Sequence, residues 1–199
     1  WVERFGSYVD LLGGVLGHAD RRGPLRAYST ALLLPGERKS VEPMAARVAP
    51  FRVSAAHQSL HHFVAKAAWD DAAVLTAVRG HVLPAIMAHG PIRAWIVDDT
   101  GLPKKGRLSV GVARQYCGQI GKQDHCQVAV TLSVANEQAS LPIAYRLYLP
   151  ETWAADPARR AMAGVPEEVE FRTKPEIALG QVRERVADGG RWGVGVTEG

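Results

Sequence analysis

Apolar positions recur at three to four residue spacing through residues 1–90 and at every second residue in stretches beyond, so a helical part is expected to precede a part with β-structure. Phe5, Val9, Leu12 and Leu16 share one helical face, closed by Gly17 and Gly23-Pro24. Leu25 to Leu34 predicts a second helix that stops at Pro35-Gly36. Ser40 is placed to cap a third, bearing Met44, Ala45 and Val48 and ended by Pro50. Ser54 is placed to cap a fourth, in which Leu60, Phe63, Val64 and Ala67 face one way. Asp70 or Asp71 opens a fifth with Val74, Leu75, Val78, Val82 and Ile86.

After His89-Gly90-Pro91 the period changes. Ala94 to Val97 is a short apolar strand running into an Asp pair, and Val128, Val130, Leu132 and Val134 alternate with Ala, Thr and Ser as a half-buried strand does. A turn through residues 136–140 leads to Ile143, Tyr145, Leu147 and Leu149, which alternate again, so a β-hairpin is expected, followed by a loop from Pro150 to Pro166. Thr173-Lys-Pro-Glu176 has the capping-box spacing with Pro in the first turn. It predicts a helix with Ala178, Leu179, Val182 and Val186 inward, stopped at Gly189-Gly190. A further strand starts within Trp192 to Val196. The fold class expected is α+β, or mixed α/β: a helical domain at residues 1–90 and a sheet-containing domain at 91–199.

Composition changes this picture little. At 199 residues, 47% hydrophobic and 22% charged, the chain has enough apolar mass for one large domain or two small ones. Two cysteines without C-x-x-C spacing do not build a disulfide framework and fit a reducing cytosol. No apolar run approaches the ~20 residues of a membrane span, and the start lacks the pattern of a signal peptide, so a soluble intracellular protein is expected. The chain begins with Trp1 rather than Met and stops at Gly199 soon after a Val/Gly run, so a fragment with both ends cut is expected.

Charge matters through its distribution. A formal charge of +4 and a pI near 9.3 favour anionic partners only weakly. From Thr100 to Gln123, however, there is no Asp or Glu, while Lys104, Lys105, Arg107, Arg114 and Lys122 supply five cations. This segment follows directly on Asp98-Asp99 in Trp95-Ile-Val-Asp-Asp-Thr-Gly-Leu-Pro-Lys-Lys-Gly106. Asp-Asp-Thr-Gly reads as turn chemistry, with Gly at positive φ, or as a carboxylate at the end of a buried strand, suited to holding Mg²⁺ together with substrate phosphates. Alternation sends the two side chains to opposite faces, so only one is expected to be the ligand. Lys104, Lys105 and Arg107 are either a solvated loop or phosphate contacts. Arg114, Gln115 and Tyr116 are types that bind phosphate, base edges and base faces, and Tyr116 equally suits a core. Cys117, His125 and Cys126 lack zinc-finger spacing and a fourth ligand. His57 and His61 lack the Glu of H-E-x-x-H and read as helix surface. Gly106-Arg-Leu-Ser-Val-Gly111 misses the nucleophile elbow by one residue, and Gly101 to Gly106 is not a Walker loop.

Taken in order, several segments resemble the DDE-type insertion-sequence transposases, the DDE-superfamily endonucleases. They are Glu37-Arg-Lys-Ser-Val-Glu-Pro-Met-Ala45, Trp69-Asp70, Val97 to Gly106, Ser109-Val-Gly-Val-Ala-Arg-Gln-Tyr-Cys-Gly118, Cys126-Gln-Val-Ala-Val130, Leu147-Tyr-Leu-Pro150, Trp153 and Phe171-Arg-Thr-Lys-Pro-Glu176. The resemblance implies an RNase H-like catalytic core, here partial at 91–199, behind a DNA-binding helical domain at 1–90. It implies three acidic ligands for two Mg²⁺ ions, with Asp99 the first and Asp98 its substitute; beside such a site the residue types of Lys104, Lys105, Arg107, Arg114, Gln115, Tyr116 and Lys122 are expected to supply the DNA contacts. The activity implied is metal-dependent strand cleavage and transfer at element ends. Its partners would be the terminal inverted repeats and target DNA, with a homodimer allowed and no membrane, in the cytoplasm with the nucleoid. The family's second Asp belongs after the strand that follows the Thr173 helix, where this chain reads Gly193-Val-Gly-Val-Thr-Glu-Gly199 and Glu198 stands in the wrong context. The third acid is absent, so this stretch alone is expected not to cleave DNA. The alternative is a non-catalytic DNA-binding remnant or regulator derived from a transposase. An unrelated α/β domain whose Asp pair makes a turn is the third reading.

Overall fold

The structure is a computed structural model that describes residues 2–188 and 194–197, the latter by backbone alone. The chain divides into two compact units, Trp1–His81 and Val82–Gly199. Among the described residues no helix is long and apolar enough to cross a membrane.

The first unit contains α1 (Val2–Gly14), α2 (Arg22–Leu33), α3 (Val41–Val48), α4 (Val53–Ala65) and the first turns of α5 (Asp71–Met87). Val9, Leu12, Leu16, Leu25 and Phe63 form one core, and Ala31, Met44, Ala45 and Leu60 a second. Trp69 stacks on Phe63 at 5.8 Å and its indole N–H donates to the Phe63 carbonyl (2.9 Å), closing the end of α4. Two expected starts differ in detail. α4 begins two residues earlier than a Ser54 cap allows, with Arg52 at the cap position; Val64 is exposed and Ala67 lies past the helix end. For α5 the choice falls on Asp70, whose carboxylate accepts from the amides of Ala72 (2.9 Å) and Ala73 (3.2 Å). His57 and His61 stack on each other at 6.0 Å, one turn apart on α4.

The second unit is built on a sheet of β1 (Ala94–Pro103), β2 (Ala113–Cys117), β3 (Lys122–Ala135), β4 (Ser140–Leu147) and β5 (Val194–Thr197). The order is β2-β3-β1-β5, and the long β3 pairs with β2 through its first part and with β4 through its second. Every pairing is antiparallel except that of β1 with β5. On β3, Cys126, Val128, Val130, Leu132 and Val134 are buried in strict alternation, as expected. Leu132 and Val134 pack with Trp95, Ile143 and the last turns of α5, Leu83 and Ile86, while Cys126 and Val128 pack with Cys117. Asn136 ties the β3–β4 turn down: its Nδ2 donates to the carbonyls of Ile86 (2.9 Å) and Gly90 (3.0 Å), and its Oδ1 accepts from Gln138 and Ala139. The α+β class is as the periodicity predicts. Trp192, Gly189-Gly190 and Glu198, which entered the sequence expectations, lie outside the described residues.

Three local expectations change. On β4 the alternation breaks because Leu132 pairs with Ala144 but Ser133 with Pro142, so Ile143 is an extra residue. That bulge buries both Ile143 and Ala144 and turns Tyr145 and Leu147 outward. The stretch expected as loop holds α6 (Glu151–Ala154) and α7 (Pro157–Met162), too short to show a helical period. Finally, α8 (Lys174–Ala187) buries Ile177 and Gln181 rather than Leu179 and Val186, which are about half exposed. Gln181 takes the inward place because its amide donates to the Val130 carbonyl at 3.1 Å.

The capping box of α8 forms as its spacing predicts. The Glu176 amide donates to Thr173 Oγ1 (3.4 Å), and Glu176 Oε2 accepts from the Thr173 amide (2.8 Å). Hydrogen bonds from the Thr173 backbone, then from its hydroxyl, hold the Glu176 carboxyl below its ordinary 4.5. A depressed carboxylate stabilises the fold above its unfolded pKa and loses that contribution as pH falls through the folded value. Loss of the N-cap in Thr173→Ala is expected to cost about 0.5–2 kcal/mol at neutral pH. Acid titration of wild type should show the Glu176 side chain titrating below the free carboxylate and α8 fraying with it. A Glu176 titration at or above the ordinary value in an NMR pH series would refute this.

Candidate active site on the central strand

β1 continues to Pro103, so Asp98 and Asp99 lie within the strand and not at its tip. The ladder with β3 carries on through Asp99↔Val130 and Gly101↔Val128, whereas the ladder with β5 stops at Val97↔Thr197. Among the described residues, the β5 side of β1 is thus without a strand partner from Asp98 onward. The backbone that carries both carboxylates is held on its other side by β3. Asp-Asp-Thr-Gly is therefore not a turn. Gly101 has no positive φ, and its need for glycine is steric: a Cβ there would lie 2.8 Å from Cys117 Sγ and 3.0 Å from Cys117 Cα.

Asp99 forms an ion pair with Lys174, the first residue of α8, from 75 residues away in sequence. The capping box and the Gln181–Val130 hydrogen bond set the start of α8 over this part of the sheet. The Lys174 ammonium also stands 5.7 Å from the centroid of the Tyr148 ring, whose edge meets Phe171. The Asp99 side chain is 44% exposed and that of Lys174 34%, so the pair is half open and worth at most about 1 kcal/mol. Asp98 is engaged differently: its Oδ1 accepts from the Asp99 amide (2.7 Å), and its backbone carbonyl accepts from the Thr131 hydroxyl (3.2 Å). An open cavity of about 750 Å³ is lined by residues Asp98 and Asp99, with Lys174, Tyr116, Gly118 and the apolar side of α8 at Ala178, Leu179 and Val182.

Of the residues singled out in the sequence, this cavity brings together Asp98, Asp99 and Tyr116; Tyr116 is 60% exposed and not a core residue. Lys104, Lys105, Arg107, Arg114, Gln115 and Lys122 do not line it. Lys105, Arg107 and Arg114 are exposed, Lys104 half-buried, and Lys122 faces Asp124 at 3.9 Å. The Gln115 amide nitrogen is committed to the Cys126 carbonyl at 3.0 Å. The segment from Lys104 to Val112 is held from behind. Arg159 donates to the Arg107 carbonyl (3.0 Å), and the indole N–H of buried Trp153 donates to that of Val112 (2.8 Å). The two cysteines are buried side by side, and burial, with Cys117 adding to it, pushes the Cys126 thiol up to about 11. That thiol stays protonated at neutral pH and offers neither a nucleophile nor a ready metal ligand.

Lys174 was missed as a site residue. It was visible in the sequence only as the second residue of the capping box, inside the segment Phe171 to Glu176. Arg159, in a stretch read as loop, gave no signal at all.

Comparison with known proteins adds a family. A family model described as DDE superfamily endonuclease matches residues 11–199 of the chain. The probable transposase for insertion sequence element IS701 of Microchaete diplosiphon is 36% identical over 121 residues, which are 61% of this chain and 28% of that protein. The matched part thus spans little more than a quarter of the curated relative. No solved structure matches the chain. The sheet and its helices are consistent with an RNase H-like core. Endonucleases of this superfamily generally use divalent metal ions. The described residues do not by themselves fit one: Asp99 is taken by Lys174, Asp98 by a backbone amide, and no group of three His, Cys, Asp or Glu side chains stands together among them.

Proposed function

Because the chain belongs to the DDE superfamily endonucleases, we propose that it serves in an insertion-sequence transposase, a DNA-cutting and DNA-joining enzyme acting at the ends of its element. The observation that carries this reading is Asp99 itself. It stands on a strand fixed by β3, beside an open cavity with a lysine and an exposed tyrosine. In this reading Asp99 is the first acidic residue of the catalytic centre and Asp98 is its substitute. A Mg²⁺ site there needs carboxylates beyond those described, and cleavage by these residues alone is not expected.

Lys104, Lys105, Arg107, Arg114 and Lys122 supply phosphate contacts, and Tyr116 a face on which a base can stack. Gln115 has only its amide oxygen left for a base edge. The DNA partners are the element's terminal repeats and the target, bound by a chain able to act as a homodimer. A second reading, a DNA-binding regulator that does not cut, is favoured by the ion pair that occupies Asp99.

Band-shift titrations over a series of salt concentrations test the DNA contacts. Each lost phosphate contact lowers the slope of log K against log salt by about 0.9. Changing Lys104, Lys105 and Arg107 together to Gln should therefore reduce the slope by roughly two to three. An unchanged slope would remove this segment from the interface. Plasmid nicking in Mg²⁺ tests the role of Asp99. Nicking that Asp99→Asn abolishes supports the enzyme, nicking that survives Asp99→Asn removes Asp99 from the centre, and binding without nicking by these residues alone is what both readings expect.

A further inference from the structure

We infer that α2, α3 and α4 form a second contact for duplex DNA, in which the exposed face of α4 enters the major groove and Arg47 and Arg52 hold flanking phosphates. The inference rests on the reading of the chain as a protein that acts on DNA, but on residues apart from the contacts assigned within 104–122. From Pro43 to Trp69 the chain has no Asp or Glu, while Arg47, Arg52 and Lys66 supply cations. That acid-free stretch takes in most of α3, the turn after it and all of α4. A face that served solubility alone would mix both signs of charge.

α3 ends at Val48 and α4 starts at Val53, so residues 49–52 make a short turn between them. Ala31 of α2, Met44 and Ala45 of α3 and Leu60 of α4 close on one another as a core. Two helices joined by so short a turn and braced by a third have the layout of a helix-turn-helix, in which the second helix reads base edges and the first crosses the backbone. α4 is divided accordingly. Leu60 and Phe63 are buried on one side, whereas Ser54, Gln58, His61 and Ala65 recur at helical spacing on another and are exposed. Hydroxyl and amide groups there can pair with base edges, and a Gln amide suits adenine. In the neighbouring row of α4, Ala55 and Ser59 border an open cleft of about 690 Å³, lined also by Arg26, Arg47 and Arg52 and by no acidic residue among those described. Arg26 is held by Asp10 (2.8 Å), and one nitrogen of Arg47 by the Arg38 carbonyl (2.9 Å). Such a bond orients the Arg47 guanidinium and leaves it further donors for a phosphate. Arg52 is exposed at the cap position of α4.

The test is band-shift titration of the 199-residue chain on a pool of random-sequence duplex DNA, followed by sequencing of the bound duplexes. Arg47→Gln together with Arg52→Gln should lower the slope of log K against log salt by about two, and Arg52→Gln alone by about one. The corresponding pair of Lys substitutions keeps the charge and should keep the slope, which separates a lost contact from a lost fold. Gln58→Ala should leave the slope unchanged and erase the preference at one position of the selected site, a preference of about 5- to 150-fold in wild type. If Gln58→Ala leaves the selected site unaltered, α4 is not the reading helix. If the Gln pair leaves the slope unchanged while the changes at Lys104, Lys105 and Arg107 lower it, the contact proposed here is overturned and the DNA reading stands. If wild type shifts no duplex DNA at any salt concentration, the DNA reading falls and the inference with it.

Discussion

Trp153→Ala is expected to destabilise the second unit by about 3–5 kcal/mol, the range for removing a fully buried large aromatic. The ring is completely buried against Val112 and Leu149, its N–H satisfies the Val112 carbonyl, and the Arg159 guanidinium lies 3.8 Å above its centroid. Alanine leaves a cavity, orphans a buried carbonyl and frees Arg159, which also donates to the Arg107 carbonyl. The loss should be visible twice, in urea unfolding of the second unit and in faster amide exchange from Arg107 to Val112. Trp153→Phe keeps most of the volume and loses the N–H, so about 1–2 kcal/mol is expected. A cost below about 1 kcal/mol for the alanine variant would mean that α6 and α7 do not hold the cationic segment in place.

The second large effect is at Gly101. Adding one methyl there puts a carbon 2.8 Å from Cys117 Sγ and 3.0 Å from Cys117 Cα, and a backbone atom cannot swing away as a side chain can. Gly101→Ala should cost about 1–3 kcal/mol, the range for overpacking. Because Gly101 is two residues from Asp99 on the same strand, the shift that relieves the clash should also loosen the Asp99–Lys174 pair. Cys117→Ala in the same chain removes the sulfur but leaves the backbone carbon where it was, so it should recover less than half of the loss. Gly118→Ala is the control: nothing lies within 4 Å of a Cβ there, and stability should be unchanged or slightly improved. Full recovery by Cys117→Ala would show that the sulfur alone demands the glycine. No loss in Gly101→Ala would show that the two strands are not packed this closely.

Residue patterns served well where one short-range rule decides the structure. The face of Val9 and Leu12, the alternation of Val128 to Val134 and the reciprocal bonds of Thr173 and Glu176 all depend on neighbours within a turn or along one strand, whereas Leu16, also expected on that face, is buried beyond the end of α1 at Gly14. They failed where a distant partner overrules the local rule. Tyr145 and Leu147 should alternate inward with Ile143, but the extra residue at Ile143 reverses them. Leu179 and Val186 are the better apolar candidates on α8, yet Gln181 is buried, since the Val130 carbonyl offers it a hydrogen bond that no sequence window displays. β2 reads Ala-Arg-Gln-Tyr-Cys, with no apolar alternation, and becomes a strand through its ladder with the start of β3.

The same division runs through the site. The Asp98-Asp99 pair, the acid-free basic segment after it and the apolar run before it stand on consecutive residues, so the sequence by itself determined that carboxylates and cations would meet on one strand and its continuation. Only the tertiary structure decided that Asp99 faces Lys174, that Tyr116 and not the lysines of the loop shares its cavity, and that the glycine of Asp-Asp-Thr-Gly answers to Cys117 instead of to a turn. The reason is one of range. A strand's own residues specify which side chains alternate, while the cation that neutralises one of them comes from a helix 75 residues on, placed there by the register of β3 and the docking of α8.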